Sequence, residues 1–128
     1  KFENIGTRSF AIEQAISSAI DFHLAIGADK KEARLNYLKN YWVNQVKDMA
    51  KVNLYSSQEP ENTCALFNFG IEGMDAGPVH NALFSTHKVH TSPIKWEQVN
   101  GPRVTPHVYT SLYELDRLVE AIDLVAKS

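Results

Sequence analysis

The chain has 128 residues, the size of one domain. Hydrophobic residues make up 44% of it, enough for a real core, and Lys+Arg 13 against Asp+Glu 15 leaves a formal net charge of −2. That balance gives no electrostatic reason to expect nucleic acid or an anionic membrane as partner, no apolar run reaches the length of a membrane span, and a single cysteine, Cys64, excludes an internal disulfide or a thiolate metal cluster.

The chain opens KFENIGTRSF, without an initiator methionine or an apolar leader, and reads as a segment of something longer. The lone cysteine suggests a reducing compartment, so a cytoplasmic location is expected. From Ser9 to Ile26, the residues Ile12, Ile16, Ala19, Ile20 and Ile26 recur at helical spacing, and Gly27 is placed to end the helix in a left-handed cap. Asp29 and Glu32 have the spacing of a capping box. They predict a second helix from Lys30 to about Met49, burying Leu35, Leu38, Trp42, Val46 and Met49. The two helices together predict a long αα-hairpin.

Val52 to Tyr55 is a strand candidate, and SSQEPENT a polar loop. In CALFNFGIEG, alternation of Ala65, Phe67, Phe69 and Ile71 predicts a strand. Asp75 to Phe84 reads as a helix with Pro78 in its first turn, where a missing N–H costs nothing. Short strands are expected at Val89–Thr91 and Arg103–Thr105. Ser111 and Glu114 form another capping box, opening a helix that buries Leu112, Leu115, Leu118, Val119, Ile122 and Val125. The order predicts an α+β fold, with a small, mainly antiparallel sheet packed against helices.

Few side chains suggest chemistry by spacing. His87 and His90 are three apart and would point to opposite faces of a strand, so scattered histidines are the expectation, with His23, His80 and His107 elsewhere, and no metal site. Cys64 at a strand opening reads as a small buried hydrophobe. Glu114, Asp116, Glu120 and Asp123 read as a solvated face, and Tyr37, Tyr41 and Trp42 as packing. Gly6-Thr7, just before a helix with Ser9 near its start, can present a hydroxyl and free amides to a phosphate. Arg103, between Pro102 and Pro106 in GPRVTPHVYTS, is either a surface arginine on an edge strand or a rigidly held clamp for an anion.

Taken together, KFENIGT, the internal stretches ARLNYLKNYWVNQV and FGIEGMDAGPVHNALFSTHKVHT, and the tail PRVTPHVYTSLYELDRLVEAI resemble, in order and over essentially the whole chain, the C-terminal part of class V aminotransferase-like enzymes. These belong to the fold-type I pyridoxal-phosphate group, and the nearest likeness is to the isopenicillin N epimerase-like branch. The resemblance implies a connecting remnant of a large cofactor-binding domain at residues 1–8 and a single C-terminal small domain, with its connecting helices, at residues 9–128. It implies that Gly6 and Thr7 contact the phosphate of pyridoxal 5'-phosphate, in this family across a homodimer interface. It also implies that Arg103 binds the α-carboxylate of an amino-acid substrate. The family's Schiff-base lysine lies upstream of the Gly-Thr motif, so the chain by itself is expected to be inert, with no cofactor bound covalently. HTSPIKWEQVNGPR lacks the cysteine that desulfurase relatives carry before the arginine, which disfavours sulfur chemistry. The alternative is a stand-alone, non-catalytic binding domain derived from the same fold. No residue is expected to be catalytic in this chain, and transamination, epimerisation and elimination stay open.

Overall fold

A computed structural model describes Gly6 and residues 9–128. Among these, the elements run α1 (Phe10–Ile26), α2 (Ala28–Val46), β1 (Val52–Leu54), a single 3-10 turn (Pro60–Asn62), β2 (Phe67–Ile71), α3 (Ala76–His87), β3 (Ser92–Trp96), β4 (Val99–Val104) and α4 (Leu112–Lys127). They fall into two compact units, one ending at Lys31 and one running from Glu32 to Ser128.

The first unit is α1 with the opening turn of α2. Its apolar periodicity makes the helix, but no residue of α1 is buried. Gly27 ends it with φ 89° and ψ 141°, its N–H donating to the His23 carbonyl. This is a positive φ that favours glycine, although the ψ lies outside the left-handed helical well expected from sequence. Gly27 also starts the next helix, because its carbonyl accepts from Lys31 N–H. α2 therefore begins at Ala28, with Asp29 inside its first turn rather than capping it.

The second unit is a two-layer α+β structure, as the sequence predicts. Its sheet is antiparallel with strand order β1-β2-β4-β3. Period-2 alternation sends Phe67, Phe69 and Ile71 of β2 and Val104 of β4 to the helix-covered face, where they join Leu38, Trp42, Val46, Val79, Leu83, Leu115, Leu118 and Ile122. Trp42 stands edge-on to Phe67 and Phe69, with ring centroids 5.8 and 5.9 Å apart, so the α2 indole is the joint between helix layer and sheet. α4 opens with the anticipated box: Ser111 Oγ accepts from Glu114 N–H, and the Glu114 carboxylate accepts from Ser111 N–H.

Two differences from the sequence reading matter for the site. The strand expected at Val89–Thr91 lies instead at Ser92–Trp96, pairing with β4 as a hairpin around a two-residue turn at Glu97 and Gln98. Glu97 adopts φ 49° there, a conformation that neither Asn nor Gly advertised. As a result β4 lies between β2 and β3, not at an edge. Two prolines are tolerated because Pro102 faces Pro93 across the hairpin, and the β2–β4 ladder stops at Asn68–Arg103, just short of Pro102. Gly101 then lets β4 press on β2, since a Cβ there would lie 1.8 Å from the Phe69 carbonyl oxygen.

Candidate functional site

Arg103 pairs with Asn68 of β2 on one side and Ser92 of β3 on the other. Extending the β1–β2 register by one residue places Tyr55 opposite Asn68, and Tyr55 N–H donates to the Asn68 carbonyl at 3.0 Å. Strand alternation puts these four residues in one row, Tyr55–Asn68–Arg103–Ser92, on the sheet face away from the helices. A tyrosine, an amide, a guanidinium and a hydroxyl are thus set on one line across the sheet. Gly70, two residues along β2, leaves room for the Tyr55 ring to lean over it, because a Cβ there would come within 2.6 Å of the ring and 2.8 Å of its hydroxyl. The Tyr55 end adjoins a cleft of about 660 Å³ lined also by Asn53, Glu72, Asp75 and Asn100.

The electrostatics of the row are simple. Arg103 is half-buried and has no hydrogen bond or ion pair with any described residue, and its Nε is fully buried without an acceptor. A buried donor left unmade costs about 1–3 kcal/mol, more for a charged group, so this is an expensive arrangement unless something completes it. The terminal nitrogens Nη1 and Nη2 are not among the buried unpartnered atoms. With no internal partner, they are the solvent-facing edge of the fork. An arginine fixed on an inner strand with its outer edge open can hold one carboxylate end-on.

The neighbouring elements hold this strand in place. Arg34 of α2 donates to the Val108 and Thr110 carbonyls at 3.4 and 3.0 Å, fastening the loop that leaves β4. At the other end Asn100 Oδ1 accepts from Ala76 N–H at the start of α3, and its Nδ2 donates to Asp75 at 2.7 Å. The Asn100 hydrogen bond, with Lys95 beside it, holds the Asp75 carboxyl below its ordinary value. Neither Arg34 nor Asn100 stands out in sequence, because each works through partners far along the chain.

Gly6 is exposed, with φ 86° and no atom within 4 Å of the place a Cβ would occupy. Thr7 lies outside the described residues. Gly6 and Arg103 belong to different units. Cys64 corrects its expected role. β2 starts only at Phe67, so the thiol sits in the preceding loop, exposed, rather than in a strand interior. Lys39 was missed altogether: a lysine on α2 that is 2% exposed, its Nζ donating to Thr63 Oγ1 at 3.1 Å, with burial lowering its pKa. His80 Nδ1 meets Thr91 Oγ1 at 3.1 Å, and His107 stacks on Tyr109. Among the described residues no group of three or more His, Cys, Asp or Glu side chains is placed to hold a metal ion, and no helix is long and apolar enough to cross a membrane.

No family model matches the chain. Its sequence is similar to isopenicillin N epimerase from Streptomyces clavuligerus, 26% identical over 126 residues that make up 96% of this chain and 31% of that protein. Among solved structures, the alanine–glyoxylate aminotransferase of Nostoc sp. matches with a TM-score of 0.72 at 19% identity, over 94% of this chain and 32% of that one. The cysteine desulfurase CsdA of Escherichia coli matches with a TM-score of 0.76 at 15% identity, over 95% and 32%. The chain thus spans about a third of the length of these relatives. The class V aminotransferase-like resemblance read from the motifs is borne out, including its isopenicillin N epimerase-like branch, and the α+β fold with it.

Proposed function

We propose that this chain is the substrate-clamping C-terminal domain of a pyridoxal-phosphate-dependent enzyme of the class V aminotransferase type, acting on an amino acid or its keto acid. The observation that carries the reading is Arg103, a guanidinium on an inner strand with no partner among the described residues and its outer edge open. Arginine is matched to a carboxylate by charge and by its two parallel donors, and the rigid strand keeps that fork aimed. The matched relatives support the same reading, since they are an epimerase and an aminotransferase three times as long.

Pyridoxal phosphate, when bound, supplies an electron sink for bond breaking at the α-carbon. What this chain offers it is one edge contact. Gly6 has the positive φ and the free space that let a backbone amide approach a phosphate oxygen. In this reading the lysine and the rest of the phosphate site belong to the remainder of the enzyme. Arg103 holds the α-carboxylate alike in transamination, epimerisation and elimination, so the reaction is chosen by groups outside this chain. Sulfur transfer of the desulfurase kind is disfavoured, because the stretch before Arg103 is a closed hairpin with a two-residue turn and no cysteine. The working form in this reading is a homodimer.

In the full-length enzyme, Arg103→Ala is expected to raise KM for the amino acid by about 10- to 100-fold, the loss of a charge-assisted pair of hydrogen bonds. Cofactor absorbance should be retained. Unchanged substrate affinity would overturn the assignment.

A further inference from the structure

The outer edge of Arg103 is accounted for by a carboxylate, but the inner edge is not. Nε carries a proton, is fully buried, and meets no acceptor. A charged donor in that state needs an acceptor at the moment the fork is used, and the ligand cannot supply it, since Nε has no exposed surface. The row itself offers an acceptor on either side of Arg103.

Two neighbours share the face. Ser92 stands opposite on β3, the edge strand, with a hydroxyl on a one-torsion arm. Asn68 stands opposite on β2, an inner strand, with a longer arm ending in an amide oxygen. Side chains directly opposed on one face have Cβ atoms about 4.5–5.5 Å apart, within reach of an amide. The Asn68 side chain is tied only weakly: its Nδ2 donates to the Gly101 carbonyl at 3.5 Å, the limit of a hydrogen bond, and its oxygen has no partner. Its backbone, by contrast, is pinned, with N–H donating to Ser56 Oγ at 2.9 Å. A fixed backbone under a loosely held amide is the arrangement of a side chain that can turn without moving the strand.

We propose that Asn68 is the positioning residue of the carboxylate clamp: its amide oxygen turns to accept the Arg103 Nε proton when a carboxylate engages Nη1 and Nη2. The inference rests on the clamp reading and deepens it. Asn68 locks the plane of the guanidinium, so the clamp accepts a carboxylate end-on and in one orientation. It does not touch the substrate.

The test uses the full-length enzyme labelled with ¹⁵N at arginine and acetate as the carboxylate probe, reading the Arg103 Nε–H signal by NMR. In the natural enzyme, acetate is expected to shift this signal and slow its exchange with water. Asn68→Ala, checked to be folded by its amide spectrum, should weaken acetate binding by about tenfold and abolish the slowing. Asn68→Asp, placing a full negative charge opposite Arg103, should slow the exchange without acetate and remove the response to it. Ser92→Ala should behave as the natural enzyme. An acetate response that is unchanged in Asn68→Ala overturns the role of Asn68 while leaving the clamp intact. A natural enzyme whose Arg103 signal ignores acetate overturns the clamp, and the inference with it.

Discussion

Lys39 is the residue on which energetics and sequence reading part most clearly. A lysine on a helix is read as solvated, yet this side chain is buried, with the Thr63 hydroxyl as its hydrogen-bond partner and no ion pair among the described residues. Burial favours the neutral amine, so the folded chain releases the proton more readily than the unfolded chain. Between the lowered value and the ordinary 10.5, the unfolded state holds more protons, and stability rises with pH. Below that window both states are charged and the folded chain bears the full desolvation cost. Lys39→Met is therefore expected to stabilise the chain by about 1 kcal/mol at pH 7, an advantage that shrinks as pH approaches 10.5, measurable by urea unfolding across pH. Arg103 was legible as a candidate, but its setting was not. Two flanking prolines point to an edge strand, but Pro106 lies beyond the end of β4, and the pairing of Pro93 with Pro102 shows how an inner strand can carry the other.

At the scale of elements, α4 was the easiest to read, because both its start signal and its buried stripe are local. Ser111→Ala removes the hydroxyl that caps the helix and should cost about 1 kcal/mol in thermal or denaturant unfolding. The Ser111 amide also holds the Glu114 carboxyl below its ordinary value. That part of the stability is present above about pH 4.5 and fades as pH falls through the lower folded value, so Glu114→Gln should flatten the acid limb of the unfolding profile. The β3–β4 hairpin was harder. Its turn residues, Glu97 and Gln98, carry no Asn-Gly signal, and the register is set by pairing across the strands. Cys64 failed for the same reason, since where β2 begins depends on what pairs with it. Gly101→Ala tests the close crossing of β4 on β2. A methyl 1.8 Å from a carbonyl oxygen forces the strands apart, with an expected loss of about 2–3 kcal/mol and a displaced Arg103.

Across the whole chain, fold class was legible because alternation and helical spacing are strong in the second unit, where they coincide with burial. In α1 the same spacing makes a helix whose apolar side chains stay in water: Phe10, Ile12, Ile16, Ile20, Phe22 and Leu24 are all more than half exposed. The proposed function gives that surface an owner, the other two thirds of the enzyme. Without it the chain is expected to self-associate as concentration rises. Ile16→Glu with Ile20→Glu should abolish the association in sedimentation velocity while leaving unfolding of the second unit unchanged. A natural chain that stays monomeric at high concentration would remove this account of α1.

The row across the sheet carries a consequence for how such a chain can vary. Tyr55, Asn68, Arg103 and Ser92 share a face only because three strand registers agree. Exchanging any one of them alters one side chain and leaves the others where they are. Adding or losing one residue between Val99 and Arg103 rotates the guanidinium to the side held by Phe67 and Phe69, and brings the neighbouring apolar side chain out in its place. Length here is under tighter constraint than identity, so surviving relatives of this segment should differ by substitution along the row and keep the spacing of its strands.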